Sequence, residues 1–259
     1  KIVFIPTSNT SKLNTAGDYI FKANPDVDFE AKKMVAYARE KGMRNIAILY
    51  DSANDTTTTG ANVFREQFIK SGGAIVLFEG MDSKLTTDFR TQLTVLKKLK
   101  PDAIYVVING KQTGIAIRQA RELSLTMPFL GWSSHNDPEL FTSAGASAEG
   151  VVITDQPFSC EGTLVMQEYC VKYKARFSGR TPTSYGVTAY DVFRIISAVL
   201  AKNRSSVFGD KEKRLIQEAF TSKTYEGVSG TLAFDAEGNI RDKDFVFRVA
   251  KDGKFVELK

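Results

Sequence analysis

From Ala31 to Thr154 the chain alternates between segments with apolar residues three or four apart and short, nearly continuous apolar runs. The first pattern predicts helices over Ala31–Lys41, Gly60–Ser71, Thr87–Leu99, Gly114–Ser124 and Pro138–Ala144. The second predicts strands over Asn45–Tyr50, Ala74–Phe78, Asp102–Ile108, Phe129–Gly131 and Gly150–Thr154. Strands that alternate with helices predict a parallel sheet, and runs apolar at every position fit strands covered on both faces. The polar stretch Thr56–Thr59 reads as a loop ahead of Gly60.

After Pro157 the pattern changes to successive helices over Leu164–Phe177, Gly186–Lys202 and Lys211–Thr221. Strands follow over Thr231–Phe234 and Phe245–Val249, read as a pair joined through the turn-rich Asp235–Asn239, and a last strand follows Asp252-Gly253. These elements have no large sheet of their own and must complete one begun upstream, where only the run from Lys1 to Ile5 is at hand. Crossings near Phe21–Pro25, Asp155–Ser159 and Tyr225–Gly230 describe a hinge between lobes. The fold class expected is α/β, with two doubly wound parallel-sheet lobes of which the first is incomplete. Residues 1–23 and 157–228 form the first lobe, residues 24–156 the second, and residues 229–259 are strands returning across the hinge.

With 42% hydrophobic and 25% charged residues the chain has the composition of a globular protein, and its apolar runs are too short to span a bilayer. The net charge of +5 is spread among 30 carboxylates with no basic stripe, which argues against nucleic acid as a partner. The cysteines, Cys160 and Cys170, are too few for a four-ligand zinc site; they could pair in an oxidising compartment if the geometry brings them together. No cofactor motif is complete. Gly110-Lys-Gln-Thr-Gly114 lacks the phosphate-loop spacing and reads as a short strand-to-helix loop, and no Gly-x-Gly-x-x-Gly turn occurs. Ser134-His135 places the single His beside a hydroxyl, but without a nucleophile elbow it reads as facing a cleft or capping a helix.

Several motifs recur in an order that resembles a known family. They include Ile5-Pro-Thr-Ser-Asn-Thr10, Ile46-Ala-Ile-Leu-Tyr-Asp51, Thr87-Asp-Phe89, Lys100-Pro-Asp-Ala-Ile104, Arg118-Gln-Ala-Arg121, Ala148-Glu-Gly150, Ala189-Tyr-Asp191, Gly227-Val-Ser-Gly230 and Phe234-Asp-Ala-Glu-Gly238. The chain resembles type I periplasmic binding proteins, in their branched-chain amino-acid (Leu/Ile/Val)-binding branch, which serves ABC importers. The resemblance implies a non-enzymatic solute-binding protein, periplasmic or extracellular with a lipid anchor allowed, that delivers a small ligand to a membrane permease. It also implies that about 90 to 110 residues of further strand–helix units precede the segment matching Lys1, at roughly 30 residues per unit. A homodimer contact or the absent N-terminal fragment would then cover the sheet edge left open, or the lobe would be unstable.

Ligands of open parallel sheets gather at the carboxyl ends of the strands. Ser8, Asn9 and Thr10 match the family's first-lobe ligand loop, where the alternative is a helix cap. In the second lobe the candidates are Thr59, where the family often has an aromatic residue, Asn109 at a strand end, Trp132, Ser133 where the family has an acidic partner for the ligand ammonium, Ser134 and Asp155. Tyr185 is the candidate from the later helices. Small polar residues at 59, 109 and 133 argue for a ligand other than an ordinary zwitterionic amino acid, unless Asp51, Asp55, Asp137 or Asp155 supplies the carboxylate. Two other readings remain open: a sensory domain of a receptor or regulator on the same fold, and a small α/β enzyme, which would need a titratable pair in its cleft.

Overall fold

A computed structural model describes residues 3–5, 10–13, 17, 19–203, 209–241 and 243–258. The chain divides into two compact units. Unit 1 comprises Lys1–Asp26 and Gln156–Asp244, and unit 2 comprises Val27–Asp155 and Phe245–Lys259. Unit 1 opens with β1 (Val3–Ile5) and β2 (Ile20–Lys22), which pair in parallel.

Unit 2 is built on α1 (Val27–Glu40), β3 (Asn45–Asp51), α2 (Asp55–Lys70), β4 (Ala74–Met81), α3 (Arg90–Leu99), β5 (Ala103–Val107), α4 (Gly110–Glu122), β6 (Phe129–Gly131), α5 (Pro138–Ala144) and β7 (Val152–Asp155). The strands lie in the order β7-β6-β5-β3-β4, all parallel. Their side chains sort to the two faces by the two-residue period of a strand. Ile46 and Ile48 pack with Ala31, Met34, Phe64 and Phe68 of α1 and α2. Ala47 and Leu49 pack with Leu93, Leu96, Ile117 and Leu140 of α3, α4 and α5.

Helix starts are set by local chemistry. Asn54 caps α2, its Oδ1 accepting from the Thr56 N–H at 2.9 Å, so Thr56–Thr59 form the first helical turns and not the expected loop. Asn109 caps α4 in the same way through Gln112 N–H at 3.1 Å, so Gly110–Gly114 is also helical. In both places a loop-like composition hid a helix whose cap came first.

In unit 1, α6 (Leu164–Arg176), α7 (Ser184–Lys202) and α8 (Asp210–Ser222) are followed by β8 (Tyr225–Gly227), β9 (Gly230–Phe234) and β10 (Ile240–Arg241). These strands form an antiparallel sheet in the order β10-β9-β8. Phe21, Phe220, Leu232 and Phe234 form its core with Val192 and Ile195 of α7. Gly238 lets β2 approach: the Lys22 N–H donates to Gly238 O at 2.8 Å, and a Cβ at Gly238 would stand 2.2 Å from Ile20 O. Cys160 and Cys170 are bonded, with Cα atoms 5.6 Å apart, pinning the segment before α6 to that helix.

The expected pairing of Thr231–Phe234 with Phe245–Val249 does not occur. β9 pairs with β8 and β10, whereas β11 (Val246–Lys251) joins the large sheet antiparallel to β7 and pairs with β12 (Lys254–Glu257). The turn at Asp235–Asn239 serves the short β10, and its apolar brevity concealed that strand from a pattern search. The third passage between units accordingly lies at Asp244/Phe245, downstream of the Tyr225–Gly230 segment where the sequence pattern sets it.

Candidate functional site

Two polar clusters stand at the carboxyl ends of the parallel strands of unit 2. The first joins β3, β4 and β5. Asp51, at the end of β3, accepts from the Ser83 hydroxyl at 2.6 Å and from the Ala53 N–H at 3.0 Å. The Asn109 amide, at the end of β5, donates to Ser83 Oγ at 3.3 Å while its oxygen caps α4. Asp51 and Ser83 are buried and Asn109 is exposed, so this cluster presents an amide to solvent above a closed hydrogen-bonded base.

The second cluster joins β6, β7 and β11. Glu30 sits on the buried stripe of α1 and its Oε1 accepts from the Ser133 N–H at 2.6 Å and the Thr154 hydroxyl at 2.7 Å. Removal from water pushes the Glu30 carboxyl up to about 7; the Thr154 and Ser133 hydrogen bonds oppose the rise and the neighbouring Asp155 adds to it. Asp155 itself is buried and paired with the Arg248 guanidinium at 2.7 Å, and the Asn136 amide donates to the same carboxylate oxygen at 2.7 Å.

Between the clusters, the Ile108 carbonyl accepts from the Trp132 indole N–H at 3.0 Å and faces His135 Nε2 at 2.8 Å. A carbonyl only accepts, so Nε2 carries the imidazole proton. Burial lowers the His135 pKa to about 4 against the stabilising hydrogen bond to Ile108 O, which keeps the ring neutral. Gly131 makes room for the ring, since a Cβ there would stand 2.1 Å from His135 Nδ1. His135 is therefore a fully buried packing element, not the cleft-facing or capping group its sequence position suggests.

Of the residues singled out from sequence, Ser8 and Asn9 lie outside the described residues. Thr10, half-buried in unit 1, offers its carbonyl to Lys22 Nζ at 3.3 Å. Thr59 is half-buried within α2, Ser134 is half-buried in the turn after β6, and Tyr185 is half-buried in the first turn of α7. Trp132 is 8% exposed and belongs to the core facing α1 and α2. Ser133 and Asp155 meet in the Glu30 cluster and Asn109 anchors the Asp51 cluster. Glu30, Ser83 and Arg248 were missed. Glu30 had a legible signal, a carboxylate on the stripe Val27, Ala31, Met34, Ala38; Arg248 likewise lies in phase with buried Ala250 on β11.

Unit 1 holds a third buried network. The Lys243 ammonium donates to Thr188 Oγ1 at 3.2 Å, the Thr188 hydroxyl contacts Gln156 Oε1 at 3.4 Å, and the Gln156 amide donates to Asn24 Oδ1 at 2.7 Å. Burial lowers the Lys243 pKa to about 8, with Asp191 opposing. Asp191 is occupied by the N–H groups of Val228 at 3.0 Å and Ser229 at 2.6 Å.

A family model described as periplasmic binding protein matches residues 1–254. The leucine-, isoleucine-, valine-, threonine-, and alanine-binding protein of Pseudomonas aeruginosa is 25% identical over 218 residues, covering 83% of this chain and 56% of its own length. The chain thus spans little more than half of that relative. Among solved structures, the leucine binding protein LivK of Thermotoga maritima superposes with a TM-score of 0.86 at 22% identity, covering 100% of this chain and 72% of the other. An ABC transporter solute binding protein of R. palustris in complex with benzoate gives a TM-score of 0.86 at 18% identity, covering 98% and 69%. At these identities the structural likenesses establish the fold.

Proposed function

This chain belongs to the periplasmic binding protein family, and from that premise we propose that it is the ligand-binding part of an extracytoplasmic solute-binding protein serving an ABC importer. It captures a small polar or amphipathic molecule, an amino acid or a related carboxylate or amide, without covalent chemistry. The observation that carries this reading is the pair of polar clusters at the carboxyl ends of five parallel strands, where such sheets collect ligands. Asn109 and Ser134 are the groups of unit 2 that present to the ligand. Thr10 and Tyr185 are the candidates of unit 1, with Ser8 and Asn9 candidates from the sequence alone. Capture proceeds by closure about the passages at Asp26/Val27, Asp155/Gln156 and Asp244/Phe245, and the closed form is the one a membrane permease recognises. The ligands of the relatives support both chemistries: branched-chain and small amino acids for the Pseudomonas protein, benzoate for the R. palustris one.

Thermal unfolding of the intact protein across hydrophobic amino acids, aromatic acids and amides tests the reading, with titration followed by the fluorescence of Trp132, the sole Trp. A true ligand at a hundred times its Kd adds about 2.7 kcal/mol to stability and is recovered unchanged. A panel in which no compound shifts the transition refutes it, and conversion of a bound compound would point instead to an enzyme.

A further inference from the structure

A ligand ammonium taken out of water needs a carboxylate beside it, whereas a carboxylate or amide is satisfied by N–H and O–H donors. Unit 2 buries three carboxylates, Glu30, Asp51 and Asp155, and each is committed within the unit. Glu30 turns toward the Ser133 N–H and the Thr154 hydroxyl, and burial pushes it toward its neutral form. Asp51 receives the Ser83 hydroxyl on one oxygen, and on the other the N–H groups of Ala53 at 3.0 Å and Ser83 at 3.4 Å. Asp155 is the carboxylate nearest in character to an ammonium receptor, 1% exposed at the end of β7. Its charge is cancelled by Arg248, whose side chain is 7% exposed and reaches it from the neighbouring strand β11. The exposed Asp137 spends one oxygen on the Glu139 N–H at 2.8 Å.

We infer that Arg248 is a specificity-determining residue: by occupying Asp155 it leaves unit 2 no buried counter-charge for an amine, and so selects small carboxylates that lack an ammonium group. The inference rests on the solute-binding reading above and sharpens it to one ligand class. Arg248 acts through Asp155 and is a positioning residue, since its own charge is spent on that carboxylate. Its removal would convert Asp155 into the missing ammonium receptor.

The test is isothermal titration of the intact protein with matched pairs that differ by the amine: L-leucine against 4-methylpentanoate, and L-phenylalanine against 3-phenylpropanoate. The amine-free acid of a pair is expected to bind at least about tenfold more tightly. In Arg248→Met the ratio shifts toward the amino acid by about tenfold or more, while Arg248→Lys, which keeps the charge, retains the wild-type order. Asp155→Asn provides an independent arm should Arg248→Met fail to fold: amine-free acid binding persists within a few-fold. Equal affinities, or tighter binding of the amino acids in the wild type together with their loss in Asp155→Asn, overturn the inference while leaving the solute-binding reading intact. Binding of neither member of either pair, in protein whose circular dichroism is that of the folded chain, overturns the inference; only silence across the wider ligand panel as well brings down the reading beneath it.

Discussion

Glu30→Gln is expected to stabilise unit 2, and to do so more strongly as the pH rises. The amide oxygen of Gln can accept the same hydrogen bonds from Ser133 N–H and Thr154 Oγ1, but it carries no charge to be stripped of water. The Glu30 carboxyl moves from 4.5 to about 7 on folding, which corresponds to about 3 kcal/mol. Below pH 4.5 the group is protonated in both the folded and the unfolded chain and contributes nothing. Between 4.5 and about 7 the unfolded chain has released a proton that the folded chain retains, so stability falls as the pH rises. Above about 7 the penalty is complete. Urea unfolding of wild type and Glu30→Gln, followed at Trp132 from about pH 5 to about pH 8.5, should give a difference that widens by about 2.5 kcal/mol across that range. Parallel profiles would refute the assignment. A difference that narrows with pH would mean that the folded protein favours the ionised carboxylate, and that the Ser133 and Thr154 donors outweigh burial.

Because His135 is the only histidine, its imidazole resonance is unambiguous. It should hold a neutral chemical shift from about pH 8 down to about pH 5, and the stability this burial costs should appear as the pH falls from 6.5 toward about 4; a midpoint near 6.5 would place the ring in water. Replacing both Cys160 and Cys170 by Ala is expected to cost unit 1 about 3 kcal/mol from the entropy of a loop closed over a separation of 10 residues, read as a lowered melting transition; an unchanged transition would show the bond to be dispensable. For Lys243→Met the folded ammonium titrates at about 8 against 10.5 ordinarily, so wild-type stability rises with pH between those values. The variant should lose that rise and gain about 2–3 kcal/mol at neutral pH, whereas a loss of stability there would mean that the contact with Thr188 outweighs desolvation.

The α/β class and the parallel sheet of unit 2 were legible because apolar period and strand length agree there: Phe129–Gly131 and Pro138–Ala144 are bounded as their patterns indicate. Helix starts were less legible. Thr56–Thr59 and Gly110–Gly114 look like loops by composition, and only the capping oxygens of Asn54 and Asn109 turn them into helices. The end of the chain was least legible, since the partner of β9 depends on a two-residue strand at Ile240–Arg241 and that of β11 on a strand about ninety residues upstream. At the site, sequence reasoning picks out residues by strand end and residue type, which finds Asn109 and Asp155. It does not show that Asp155 has a cation, because Arg248 comes from another strand through tertiary pairing.

Apart from the Asp51 cluster and the His135 ring, two networks of buried polar side chains gather beside the three passages of the chain between units. On the side of unit 1, Asn24, Gln156 and Lys243 each lie within three residues of a passage, and Thr188 of α7 gathers them into one hydrogen-bonded chain. On the side of unit 2, Glu30, Asp155 and Arg248 do the same around β7. Apolar side chains of similar volume would give equal or greater stability at these positions, because a buried ionisable group recovers its desolvation only with well-placed partners. What the polar groups supply is direction: a hydrogen bond fixes the backbone on both sides of it, whereas apolar packing tolerates a slip. Each unit therefore holds the roots of its connecting segments in one arrangement, at a cost in stability that the pH dependence of Glu30 and Lys243 makes measurable. On the closure proposed above, the connecting segments need fixed ends, and these polar groups hold them from within each unit.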